Sequence, residues 1–247
     1  STPLWTATAA TAAATATATA AVAEQAPRST RLKPQRRNRQ RPTPHTQLSR
    51  RSFNATEYRE RARAMFTFAY DSYMQHAFPH DELAPLRCAG RSADPDTANI
   101  NVNDALGNYS LTLIDTLDTL ALMGNVTEFW RAVSLVVDTV SFDRNVTVQV
   151  FEANIRVLGG LLSAHMFATD ARLGAVGESA AAAYRGELLH MAQDIASRLL
   201  PAFDATGSAL PYPRVNLLSG VPRGASWRND TNTAAAGTLI LEFGVLR

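Results

Sequence analysis

The stretch Val150-Phe151-Glu152-Ala153-Asn154-Ile155-Arg156-Val157-Leu158-Gly159-Gly160-Leu161-Leu162-Ser163-Ala164 decides how the chain is read. Its large apolar residues do not alternate. Phe151, Ile155, Leu158 and Leu162 recur three or four apart, so they share one face of a helix. Glu152 and Arg156 stand one turn apart on a neighbouring face, close enough to pair. Gly159 and Gly160 follow one turn later. Each glycine inside a helix costs roughly 1 kcal/mol relative to alanine. Close approach of a neighbouring helix or a ligand is the natural offset. Two readings of the charged pair stand side by side. One is an ordinary surface ion pair beside a glycine contact. The other is a carboxyl at a cavity floor, held by an arginine and able to act as a general acid or to position one.

Outward from this segment the pattern stays helical. Upstream, Tyr58, Ala62, Met65, Phe66, Ala69, Tyr70, Tyr73 and Met74 recur at helical spacing, and Pro79 ends the run. Residues 80 to 107 read as a loop rich in Asp, Asn, Gly and Pro. A second helix covers about 109 to 123, with Leu113, Leu117, Leu120 and Ala121 inward and Gly124 as its stop. A third starts at Thr127 with the stripe Phe129, Val133, Val136, Val137 and Val140. The central helix runs from Val150 to about Ala168, and a fifth from Ala180 to Leu200, closed by Pro201. Pro211 to Gly224 reads as an extended loop, and a last helix begins near Thr231. Val146 to Val150 is the only short alternating candidate for a strand. Helices of similar length suggest antiparallel pairs, closed into an α/α toroid rather than stacked in a regular solenoid, because no fixed repeat period is visible.

The second helix carries its own charged pair. In Tyr109-Ser110-Leu111-Thr112-Leu113-Ile114-Asp115-Thr116-Leu117-Asp118-Thr119-Leu120, Asp115 and Asp118 lie three apart on one side of an apolar helix. Facing water is their usual fate; turned inward, they need Arg156 or a substrate hydroxyl as partner. No zinc-ligand spacing, P-loop, dinucleotide turn or nucleophile elbow occurs.

Composition bounds the rest. The chain has 247 residues, 46% of them hydrophobic and 19% charged, which is compatible with a real core. Its net charge of +2 is unevenly spread. Arg28 to Arg51 contains Arg31, Lys33, Arg36, Arg37, Arg39, Arg41 and Arg50 and no acid, and no aromatic residue is interleaved to stack on bases, so a solvated linker is expected rather than a nucleic-acid arm. Residues 7 to 24 are almost entirely Ala and Thr, too weakly apolar for a confident membrane span. Residues 1–50 are read as a low-complexity, disordered segment and 51–247 as the folded part. Cys88 is the single cysteine, either a buried thiol or one half of a bond to a partner beyond Arg247. Five sequons open at Asn54, Asn108, Asn125, Asn145 and Asn229, an excess that favours a secretory-pathway protein.

Taken together, His80-Asp81-Glu82-Leu83 with Pro85-Leu86 and Cys88, Tyr109 to Leu122, Phe151 to His165, Pro211 to Val221 and Gly237 to Phe243 resemble the inverting α-1,2-mannosidases of glycoside hydrolase family 47. The resemblance covers about residues 55 to 247, in the family's order, and is strongest to the ER degradation-enhancing branch. The internal HDEL is not C-terminal and is no retention signal. The resemblance implies an all-α fold, a partial (α/α)7 barrel incomplete at its C-terminal end, with a sugar site at one mouth and a Ca²⁺ whose protein ligand lies beyond Arg247. It makes Glu152 the general-acid carboxylate, Arg156 its substrate-contacting neighbour, and Asp118, Glu242 and, more weakly, Asp115 acidic cavity residues. The family's catalytic base lies further along the chain. Cys88 falls where the ER degradation-enhancing proteins carry a cysteine bonded to a downstream one. The implied role is trimming of high-mannose N-glycans on misfolded glycoproteins in the endoplasmic reticulum, lumenal or at the lumen-facing membrane, with an ER oxidoreductase as a further partner. A glycan receptor that binds without cleaving, or a helical scaffold, are the alternatives, separated by the presence of the second carboxylate and by sugar-dependent melting.

Overall fold

The computed structural model describes residues 54–247 apart from 95, 97–98, 100–102, 174–182, 205, 209 and 222–229. The expectations for residues 1–50 and for Asn229 lie outside the described residues.

Helix α1, Ala55–His76, opens on Asn54, whose side chain accepts the Glu57 N–H. It is only lightly anchored: Tyr70 and Tyr73 are buried, whereas Met65 and Phe68 remain exposed. The expected loop that follows contains a small antiparallel hairpin, β1 (Glu82–Ala84) with β2 (Ala89–Arg91). Three-residue strands carry too few alternations to be seen by periodicity.

Helix α2, Leu111–Leu122, buries Leu113, Ile114, Leu117 and Leu120. Gly124, at φ +79°, turns the chain after it, and Asn125 caps α3, Val126–Thr139, by accepting the Glu128 N–H. The stripe of α3 buries Phe129, Ala132, Val133 and Val136, while Val137 is exposed.

Strand β3, Thr147–Gln149, falls where alternation places it. Its antiparallel partner, β4 (Arg214–Asn216), lies inside the segment expected to be a plain extended loop. The central helix α4 follows β3 directly as three continuous pieces: Val150–Glu152, a π-helical stretch Ala153–Leu158, and Gly159–Thr169. Helix α5 is Glu187–Leu199, with Leu188, Ile195 and Leu199 fully buried. Pro201 does not merely stop it. It begins a short helix α6, Pro201–Asp204, where a missing N–H costs nothing. The last stretch divides into α7 (Thr233–Gly237) and α8 (Leu239–Leu246).

Helix α4 is the centre of the molecule. It packs on α2, α5 and α8, and its Val157, Leu158 and Leu161 are fully buried. No described helix is long and apolar enough to cross a membrane.

Candidate functional site

The π-helical stretch of α4 sits between Glu152 and Gly159, and such bulges occur mostly at functional sites. Beside it, at the α4–α2 seam, lies a charged cluster. Arg156 Nε donates to Glu152 Oε2 at 2.6 Å, and its Nη1 donates to Asp115 Oδ2 at 3.2 Å. One guanidinium thus joins two carboxylates from different helices. All three side chains are partly exposed, at 23% for Glu152, 32% for Asp115 and 43% for Arg156, so the cluster is neither sealed in the core nor fully in water. Glu152 Oε1 takes no hydrogen bond among the described residues. Burial pushes the Asp115 carboxyl above the ordinary carboxylate range, against the pull of Arg156, and the bonds to Glu152 and Asp115 hold the Arg156 guanidinium firmly charged.

One turn along α2, Asp118 Oδ2 accepts from Ser163 Oγ of α4 at 3.1 Å. The four polar positions Asp115, Asp118, Glu152 and Arg156 therefore line the same helix–helix seam, with Asp115 paired to Arg156 as the inward alternative of the sequence reading requires.

The glycine pair splits into two different environments. A Cβ on Gly160 would meet Ile114 Cγ2 and the Ile114 carbonyl oxygen at 3.2 Å, so the α2 backbone occupies the space. A Cβ on Gly159 would lie 3.5 Å from Glu242 Cγ, an ordinary contact. Glu242 is itself buried and accepts Asn154 Nδ2 at 2.6 Å; no hydrogen bond or ion pair joins it to the Glu152–Arg156–Asp115 cluster. Asn154 is fully buried, and its Oδ1 has no partner among the described residues.

Three further contributors escaped the sequence reading. Asn154 was signalled as a polar residue among the buried positions Ala153, Val157 and Leu158, a break in pattern that points to a polar partner. Asp81 belongs to the His80-Asp81-Glu82-Leu83 motif. It is fully buried, its two oxygens accepting the N–H groups of Gly107, Asn108, Tyr109 and Leu111 at the start of α2. Arg214 meets Asp104 through paired hydrogen bonds of 2.7 and 2.9 Å and fixes β4 below the entrance to α4; nothing in the sequence separation of 110 residues reveals that pair.

Cys88 is exposed in the β1–β2 turn, so the buried-thiol reading of it fails. Among the described residues no three His, Cys, Asp or Glu side chains gather around one point, and these residues do not build a calcium cage of their own.

Comparison with known proteins gives this geometry a context. The family model described as glycosyl hydrolase family 47 matches residues 65–247. ER degradation-enhancing alpha-mannosidase-like protein 3 of Xenopus laevis is 50% identical over 185 residues, covering 74% of this chain and 20% of that protein. The corresponding protein 2 of Homo sapiens is 49% identical over 189 residues, covering 76% and 30%. Alpha-mannosidase I MNS4 of Arabidopsis thaliana is 47% identical over 192 residues, covering 78% and 28%. Among solved structures, an alpha-1,2-mannosidase from Trichoderma reesei superposes with a TM-score of 0.60 at 32% identity, over 77% of this chain and 36% of that one. The chain spans less than a third of the length of these curated relatives.

Proposed function

The chain belongs to glycosyl hydrolase family 47, and from that membership we propose that it forms the acid-bearing portion of an α-1,2-mannosidase-like domain. The proposed substrate is the high-mannose N-glycan of misfolded glycoproteins, trimmed in the endoplasmic reticulum as a mark for degradation. The names of the similar proteins support the glycan and the compartment. The observation that carries the chemistry is the Glu152–Arg156–Asp115 cluster at the seam of α2 and α4, beside a π-helical turn.

In this reading Glu152 delivers a proton to the glycosidic oxygen through its unengaged Oε1, while Arg156 fixes the carboxyl through Oε2. Inversion requires a second carboxylate that takes a proton from the attacking water, roughly 6.5–9.5 Å from the acid. That base is assigned to the part of the family domain that follows the matched region in the longer relatives. Asp118 and Glu242 are proposed as acidic residues bordering the sugar site, the first through the seam and the second through Asn154. The helix pairs are proposed to be part of an (α/α)7 barrel, and Ca²⁺ to be held by residues outside those described. An oxidoreductase partner draws no support from these findings.

The test is a chimera in which residues 54–247 replace the matching third of the Trichoderma reesei enzyme. The chimera is expected to release mannose from an α-1,2-linked glycan, and Glu152→Gln to lower kcat about 10²–10⁴-fold with unchanged melting. The 247-residue chain alone is expected to release none from a Man₈ or Man₉ glycan. Full activity of the Glu152→Gln chimera would remove the assignment of the acid, and turnover by the isolated chain would remove the division of labour.

A further inference from the structure

Asn154 ties the π-helical stretch of α4 to a helix 88 residues away in sequence. The Gly159 N–H reaches back five residues to the Asn154 carbonyl, the bond that defines a π turn. The Asn154 side chain is fully buried, and its Nδ2 donates to Glu242 Oε2 on α8 at 2.6 Å. A Cβ on Gly159 would lie 3.5 Å from both the Asn154 carbonyl oxygen and Glu242 Cγ, so the three residues meet at one point. The amide is a costly way to fill this place, because its Oδ1 is buried with no partner among the described residues. What the side chain contributes therefore lies in the bond it donates, which a carboxylate acceptor makes strong.

The helix is tied on both sides of this point. Before it, β3 is paired with β4; after it, Gly160 lies against the Ile114 carbonyl and Ser163 donates to Asp118. A π turn holds one residue more than an α turn. Closing it to an α turn would rotate the two tied parts against each other by about 100°.

We infer that Asn154 is a positioning residue. Gripped by Glu242, it keeps the π turn in place, and the turn's extra residue sets the face of α4 from which Glu152 and Arg156 meet Asp115. Asn154 itself bonds to none of those three among the described residues. The geometric half of this assignment rests on the contacts alone; its catalytic half rests on the proposed function.

The test reads a group that the substitution does not touch. The charged groups facing Asp115 are Arg156 and Glu152 from α4 and Asp118 on its own helix, and of these only Arg156 pulls its titration down. In the 247-residue chain, Asn154→Leu is expected to raise the Asp115 titration, followed by carboxyl ¹³C shifts, by about half a unit to one unit, as Arg156 leaves it. With Arg156→Met already present, Asn154→Leu is expected to add no shift. Glu242→Leu, which removes the same bond from α8 and takes the place of Asn154→Leu should that variant not fold, is expected to give the same rise. Glu242→Gln, which can still accept from Asn154, is expected to give none. In the chimera with the Trichoderma reesei enzyme, Asn154→Leu is expected to lower kcat roughly 10²-fold with KM little changed. An unmoved Asp115 titration in the folded variant overturns the inference. So does a shift that persists with Met at position 156, which would report general loosening, or a Glu242→Gln variant that behaves like Glu242→Leu. A moved titration with full kcat removes the positioning role. Full activity of the Glu152→Gln chimera instead sinks the assignment of the acid, and the titrations of the chain still decide the grip on the π turn.

Discussion

At the scale of single residues, charges are placed where removing one partner is costly. Asp81 is the clearest case. Burial pushes its carboxyl up, and the four backbone N–H groups it accepts oppose that push. An amide at this position presents two donors to a nest of donors, so Asp81→Asn is expected to destabilise by about 3–5 kcal/mol. Urea unfolding measures it, and a loss under about 1 kcal/mol would show that water replaces the carboxylate. Asp115 differs, because among the described residues Arg156 is the one side chain that donates to it. Its folded carboxyl is raised by burial, so the folded chain holds that proton more tightly than the unfolded chain does. The resulting stability is present below the ordinary carboxylate range and is lost as pH rises through the folded value. Arg156→Met removes the opposing cation. Asp115 is then expected to titrate higher, widening the window of loss, as followed by carboxyl ¹³C shifts and by unfolding at a series of pH values. An unmoved titration would mean that the guanidinium is too solvent-screened to matter.

At the scale of elements, the glycine pair shows what spacing can and cannot reveal. The requirement for a close neighbour was legible in the sequence, but the sequence treats Gly159 and Gly160 alike. The contacts do not. Gly160→Ala places a methyl against the Ile114 carbonyl, where rigid backbone must move, and is expected to cost about 1–3 kcal/mol. Gly159→Ala meets ordinary contact distances and gains helix propensity, and is expected to be neutral or to stabilise by up to about 1 kcal/mol. Opposite effects of the two substitutions in thermal unfolding check this; equal losses would contradict it. The helices themselves were legible because each buries a continuous stripe, as in Phe129, Val133 and Val136 of α3. What escaped was short or was fixed far away in sequence. The hairpin of β1 and β2 and the turn of helix from Pro201 are local but too short to show a period, whereas the pairing of β4 with β3 joins residues about 70 apart. The π-helical turn escaped too: the face that α4 buries there runs through Ala153, Asn154, Val157, Leu158 and Leu161, whereas Phe151 and Ile155 of the expected stripe are only part-buried. In the site, the Glu152–Arg156 pair follows from spacing on one helix, whereas the link of Glu242 to Asn154 crosses 88 residues and could not be read from either segment.

At the scale of the whole molecule, the apolar surface is distributed unevenly. On α8, Ile240 is 80% exposed, Leu241 65% and Val245 55%, although Leu239 and Glu242 of the same helix are buried. Phe68 and Met65 on α1 and Leu122 at the end of α2 are similarly bare. Single exposed apolar residues are unremarkable, but a helix that shows water several large ones while burying a carboxylate is polarised in the wrong sense for a free surface. Such a face is what the proposed barrel would cover with further helix pairs, since the chain spans only 36% of the similar Trichoderma reesei structure. The isolated chain is accordingly expected to associate, with a sedimentation coefficient that rises with protein concentration. Ile240→Thr with Leu241→Gln should reduce that rise and leave the far-ultraviolet dichroism unchanged, because neither side chain belongs to the core. Concentration-independent sedimentation of the unsubstituted chain would show that α8 needs no cover, and the barrel reading would lose its main physical support outside the fold comparison.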